Sequence, residues 1–278
     1  MKLPKRVVII GGTHGNEWTG ITVIKHYQDQ IRNKFPHLKL EFIFANPEAH
    51  HIGKRYKDED LNRASQFLHE HRTSYENQRA REIQKIIQQE SSIVIDLHTT
   101  TSNMGNTLII SHDSPENLLL SGLIQKNTSQ TKILLAPDPM KKYLVSQSPI
   151  GLMIEVGPVA NNLIKADVLE QTLDLLISAL THIDEFKPQT LEIEIFEEVE
   201  DVYYPQAPNG DLSAYIHSEI LNQDFIKKST KFKAFMSFQG QEIEHTVNEE
   251  LYPIFINEAA YYPHKLAFSL CRKSLKKI

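Results

Sequence analysis

The chain has 278 residues, 40% of them hydrophobic and 23% charged, enough to bury one large core or a core with a smaller satellite domain. Its formal net charge is -5, and its lysines and arginines are scattered, with no basic block of the kind that tracks a phosphate backbone; nucleic acid is excluded as the expected partner. Cys271 is the only cysteine, so neither an internal disulfide nor a zinc site of several thiolates can form, and any metal must use His and carboxylate ligands.

In chain order, the first residues run straight into a β-branched apolar segment at 7–10, with neither a signal-peptide core nor a cleavage site. Nothing approaches membrane-spanning length, so the expected location is the cytoplasm and no membrane partner is expected. Further short apolar runs at 42–45, 93–95, 108–110 and 152–154 read as buried strands. Between them, 18–34, 74–89 and 115–126 have helical spacing, and 166–186 sets Leu169, Leu173, Leu176, Ile177, Leu180 and Ile183 on one stripe. Strands buried on both faces and alternating with helices predict a three-layer α/β domain over residues 1–188. Lys187-Pro188-Gln189 then breaks the pattern, and 191–195 alternates with period two, as a half-exposed strand does. Turn signals at Pro208-Asn209-Gly210 and Gln239-Gly240 separate further strands expected at 233–238, 252–256 and 267–270. Residues 189–278 are therefore expected to form a smaller β-rich domain.

The polar residues at strand ends carry the chemistry. Gly11-Gly12-Thr13-His14-Gly15-Asn16-Glu17 follows the first strand and opens a helix, and an imidazole and a carboxylate three residues apart can reach one ion. Alone this pair is a weak pattern, since Glu17 could equally cap the helix while His14 is solvated. The strand at 93–95 leads into Asp96-Leu97-His98, which delivers a third ligand type at its C-terminal end. Parallel strands would put His14, Glu17 and His98 on one rim, where open α/β sheets bind ligands. Asp96 fits either an orienting carboxylate behind the site or a buried backbone contact, and the sequence does not choose. Glu155 ends the strand at 152–154; an unpaired carboxylate beside apolar surface has a raised pKa, which suits a general base, whereas a salt bridge or helix cap is its structural alternative. Arg55 and Arg63 flank acids in the loop 55–63, where a planar guanidinium suits carboxylate anchoring or oxyanion stabilisation, and a solvated loop is the plain alternative.

Together, GGTHGNE (11–17), RYxDxDLNR (55–63), DLHTTTSNMG (96–105), IEVGP (154–158) and NEAAYY (257–262), in this order, resemble the aspartoacylase and succinylglutamate desuccinylase family over nearly the whole chain. The resemblance implies a zinc-carboxypeptidase-like fold with a mixed sheet and one Zn2+ per chain, held by His14, Glu17 and His98. It implies that Glu155 activates water, that Arg55 polarises the scissile carbonyl, and that Asn62, Arg63 and Tyr261 bind substrate. The implied substrate is an N-acyl amino acid, foremost N-acetyl-L-aspartate. Other N-acyl or N-succinyl amino acids are alternatives, as is a non-catalytic zinc-dependent carboxylate-binding protein; a homo-oligomer is left open. Tyr143 matches a substrate-contacting tyrosine of the family, but the family's arginine four residues later is Gln147 here. Its loss would remove a charge-assisted contact of roughly 1.5–3 kcal/mol unless Lys141 or Lys142 replaces it.

Overall fold

The computed structural model describes residues 3–64, 73–138 and 142–278; Lys141 lies outside them. Nine strands form one mixed sheet: β1 (Arg6–Gly11), β2 (Lys39–Phe44), β3 (Ile93–Thr99), β4 (Gly105–Ile110), β5 (Lys132–Leu135), β6 (Ile150–Gly157), β7 (Glu192–Tyr203), β11 (Tyr252–Ile254) and β12 (Leu266–Lys277). Their order is β11-β12-β7-β5-β4-β6-β3-β1-β2. A second, three-stranded sheet contains β8 (Ala214–Ile216), β9 (Lys231–Ser237) and β10 (Glu242–Thr246). The α/β architecture with a mixed sheet and a β-rich C-terminal part is thus observed, with one refinement: β7, β12 and β11 continue the large sheet. β7 runs parallel to β5, pairing Leu134 with Phe196, and β12 lies antiparallel to β7.

Helices cover both faces of this sheet because its strands alternate between two apolar faces. One face carries Ile93, Ile95, Leu97, Leu152 and Ile154 and packs on the helices at 18–34, Pro115–Asn127 and Ala166–Asp184. The Ala166–Asp184 helix buries Val168, Leu175, Leu176, Ala179, Leu180 and Ile183, an i, i+3, i+4 stripe. The other face carries Val8, Ile10, Val94, Ile109, Leu134, Met153 and Phe196, and meets Ala80, Ile83 and Ile87 of the Tyr75–Ile87 helix. Ser74 and Ser114 start their helices by accepting from the N–H groups of Asn77 and Asn117. The helix at 18–34 contains one π turn, Val23–Tyr27.

What positions the site is the parallel run β6-β3-β1. β1 is parallel to β3 and β3 to β6, so their carboxyl ends share one edge. His98 and Glu155 are direct register partners and therefore project from the same face. The sequence pattern did not mark β5, β8 or β10: each is short, and β10 alternates exposed with half-exposed residues, leaving no apolar run to detect. No helix among the described residues is long and apolar enough to cross a membrane.

Candidate active site

Two glycines shape the turn after β1. Gly12 has φ +71°, a conformation side chains avoid, and a Cβ on Gly15 would sit 2.2 Å from the backbone nitrogen of His50. Gly15 N–H also donates to the Arg55 carbonyl at 3.0 Å, which docks the 55–63 loop against the His14 turn. Glu17 stands at the helix N-cap position yet makes no side-chain cap bond. Instead its carboxylate lies 2.6 Å from His14 Nδ1 and 3.1 Å from His98 Nδ1, and accepts from Thr99 N–H at 3.1 Å.

The opposite imidazole nitrogens face other carboxylates. His98 Nε2 meets Asp96 at 2.9 Å, and His14 Nε2 meets Asp60 at 3.1 Å. Asp96 also accepts from Thr13 Oγ1 at 2.9 Å. Both rings are thus oriented from behind, with their Nδ1 atoms turned toward Glu17, an arrangement that fixes ring orientation in metal sites. One ligand atom from each of His14, Glu17 and His98 lies within 4.8 Å of the others, and all three residues are buried. Glu17, Asp60 and Asp96 thus crowd carboxylates around the two imidazoles, a setting suited to a divalent cation. The donor set, two nitrogens and a carboxylate, fits zinc.

The electrostatics follow from burial and pairing. Burial alone would raise the Glu17 carboxyl, but His14 and His98 outweigh it and hold it far below the usual carboxylate range. Asp60 is likewise held low by His14 and Arg55 against burial. Burial pulls His98 down, while Asp96 and Glu17 carry it well above the ordinary imidazole value. Glu155 behaves oppositely: burial pushes its carboxyl up to about 8, and its Oε1 is buried with no hydrogen-bond partner. Glu155 lines the cavity and makes no salt bridge or helix cap among the described residues.

A cavity of about 1290 Å³ opens over these groups and is lined by His14, Glu17, Arg55, Asn62, Arg63, His98, Tyr143, Glu155 and Tyr261, so the residues expected to hold metal or contact substrate share one space. Arg55 reaches Asp60 at 3.2 Å and Glu17 at 3.3 Å. Asn62 accepts from Leu144 N–H at 3.3 Å, tying the anchor loop to the Tyr143 turn. Arg63 stacks over the Tyr143 ring at 4.5 Å. Tyr261 packs edge-on against Phe255 at 5.5 Å, and burial raises its phenol. Gln147 is absent from the lining and accepts from Gln84 at 2.9 Å; Lys142 does line it.

Three supporting carboxylates had no role assigned from sequence. Asp60 sits inside the DxD of the 55–63 motif. Glu76, fully buried, accepts from the backbone N–H groups of Lys57 at 2.6 Å, Asp58 at 3.0 Å and Glu59 at 3.3 Å, which holds the anchor loop. Glu258, from NEAAYY, accepts from Thr101 N–H at 2.8 Å and Ser102 N–H at 3.2 Å, just after His98. An acidic residue directly before the aromatic motif was the available signal for Glu258; Glu76 left none.

A mixed sheet that gathers two imidazoles, a buried carboxylate pair and a guanidinium at one strand-end rim defines the class: a hydrolase whose pocket is suited to a divalent metal. The chain belongs to the succinylglutamate desuccinylase/aspartoacylase family. Residues 4–191 match its catalytic domain, and residues 191–273 match the AstE/AspA barrel-sandwich hybrid domain. A probable aspartoacylase of Trichodesmium erythraeum is 33% identical across 98% of both chains. The N-acyl-aromatic-L-amino acid amidohydrolase (carboxylate-forming) of Xenopus tropicalis is 36% identical, over 97% of this chain and 93% of that one. The crystal structure of murine aminoacylase 3 superposes with a TM-score of 0.92 at 29% identity, covering 100% of this chain and 98% of that one.

Proposed function

We propose that this protein is a zinc-dependent amidohydrolase that splits an N-acyl amino acid into a carboxylate and the free amino acid. The observation that carries the reading is Glu155, a buried carboxyl with an unpartnered oxygen, paired in register with His98 beside the His14–Glu17–His98 cluster. In this reading His14, Glu17 and His98 hold one Zn2+ per chain, which when bound supplies Lewis acidity at an open coordination position.

Glu155 takes the proton of the attacking water and passes it to the leaving nitrogen, and its burial makes it bind that proton more tightly than a free carboxylate would. Arg55, held beside the cluster by Asp60, donates to the carbonyl oxygen as it gains charge; one such donor is typically worth about 2.7–4 kcal/mol. Asn62, Arg63 and Tyr261 anchor the carboxylate of the amino acid half, and Tyr143 lies against its side chain.

N-acetyl-L-aspartate is the substrate that the motifs imply, and relatives are named probable aspartoacylase. A second reading is favoured by the cavity itself: Ile109, Leu134 and Met153 line it and Gln147 brings no charge to it, so a large apolar side chain would be accommodated. Relatives named for N-acyl-aromatic amino acids accord with this. Acyl release by zinc-loaded protein, measured over N-acetyl, N-succinyl and N-acyl aromatic amino acids, tests both. Glu155→Gln should keep zinc near one per chain while turnover falls about 10²–10⁴-fold; unchanged turnover would remove Glu155 from the mechanism.

A further inference from the structure

Glu198 lines the same cavity from its far side, and none of the roles above uses it. Met153, Ile109 and Leu134 stand in register across β6, β4 and β5 and give the cavity an apolar floor, and the next register partner, on β7, is the buried Phe196. Three strand spacings put β7 about 14 Å from β6, where Glu155 sits. Glu198 follows Phe196 by two residues on β7 and faces Cys271 of β12, so it rises from the same face where the floor ends.

Its own partners leave it short of a donor. The Ser269 hydroxyl contacts both Glu198 and Asp201 but has a single proton, and it lies 2.6 Å from Asp201 Oδ1. Arg63 and Lys142 act on Glu198 through charge alone, and burial pushes its carboxyl up. Glu198 also bears electrostatically on Tyr143 and Tyr261, the two tyrosines that face the substrate in the proposed reaction.

Resting on the amidohydrolase reading, we propose that Glu198 sets side-chain specificity by accepting a hydrogen bond from a donor at the tip of a large substrate side chain and repelling side-chain carboxylates. The phenol of tyrosine and the ammonium of lysine share the required chemistry. Each has rings or methylenes to lie on the floor and a donor at the end. An aspartyl side chain is short for the span and carries the wrong sign. A pocket that hydrogen-bonds a substrate hydroxyl discriminates strongly against the analogue without it, because its acceptor is then left unpaired.

The test is a set of kcat/KM ratios for zinc-loaded wild type, Glu198→Leu and Glu198→Gln: N-acetyl-L-tyrosine to N-acetyl-L-phenylalanine, Nα-acetyl-L-lysine to N-acetyl-L-norleucine, and N-acetyl-L-aspartate to N-acetyl-L-phenylalanine. In wild type at least one of the first two is expected at or above about tenfold, and which one identifies the donor. In Glu198→Leu that ratio should fall to near one. Glu198→Gln keeps the shape and removes the charge, so it should raise the aspartate ratio at least about fivefold, and it decides the matter if the Leu variant does not fold. Wild type that is active without either donor preference, or variants with unchanged ratios, would overturn the role of Glu198 alone. Wild type that hydrolyses no member would overturn the amidohydrolase reading and this proposal with it.

Discussion

Glu258→Ala should destabilise the protein through a loss that can be worked out from its contacts. The carboxylate is 6% exposed and gathers donors from the loop after His98: Thr101 N–H at 2.8 Å, Ser102 N–H at 3.2 Å, and the hydroxyls of Thr100, Thr101 and Ser102. Its other oxygen accepts from Ala260 N–H at 3.0 Å. The hydroxyls can rotate to new partners, so only the two loop amides are counted. Bonds from amides to a charged acceptor contribute roughly 1.5–3 kcal/mol each. Ser102 N–H retains Thr100 Oγ1 at 3.0 Å, so the lower part of the range applies and the loss is about 3–4 kcal/mol. With an unfolding entropy near 2.1 cal/mol/K per residue over this chain, Tm should fall by about 5–7 °C. Calorimetry of the zinc-loaded protein measures it. Glu258→Gln, whose oxygen can still take the position of Oε2, should recover most of the loss. A Glu258→Ala protein melting within about 1 °C of wild type would show that the clamp adds nothing, contrary to the reasoning from buried donors.

Asp96→Asn should weaken zinc binding by about 10–100-fold, because the imidazole of His98 loses the anion behind it; competition with a metal-chelating dye reads this, and equal affinity would detach Asp96 from the site. Asp224 predicts a pH effect on stability. Burial raises its carboxyl to about 6, one oxygen accepts from Ile256 N–H at 3.0 Å, and the other is buried without a partner. Because the folded pKa lies above the unfolded one, its contribution favours folding below about pH 4 and is lost as pH rises through about 6, a loss of about 3 kcal/mol. Asp224→Asn should therefore be the more stable protein at pH 7 to 8, with the gain shrinking toward pH 4 in denaturant titrations; a gain independent of pH would point to a cause other than ionisation.

The large features were legible because they rest on local patterns. β1, β3 and β6 announce themselves as apolar β-branched runs, and the polar residue that ends each one is visible as an exception to its run. Once those strands are parallel and adjacent, His14, Glu17, His98 and Glu155 have to meet. The supports were harder to read because their partners are distant in sequence. Glu76 serves a loop 17 to 19 residues earlier, and Glu258 serves one some 156 residues away. Both act on backbone amides, which carry no sequence signature. The extension of the sheet past residue 188 was hidden for a related reason. The two family domains meet at residue 191, next to Lys187-Pro188-Gln189, and 192–203 nonetheless pairs with β5; a pairing register between distant segments is not written in either strand alone.

That extension bears on how the molecule comes to exist. Without β7, β5 would present an unpaired edge, and the cavity would lose Glu198 from its margin. β7 in turn is paired along its length by β12, whose strand arrives some sixty residues later, with Leu191 and Ile278 exchanging both backbone bonds at its end. The sheet is therefore completed only when β12 pairs, well after the ligand-bearing strands in chain order. Until β12 pairs, β7 leaves an open strand edge, the kind of feature that exposes a partly folded chain to aggregation.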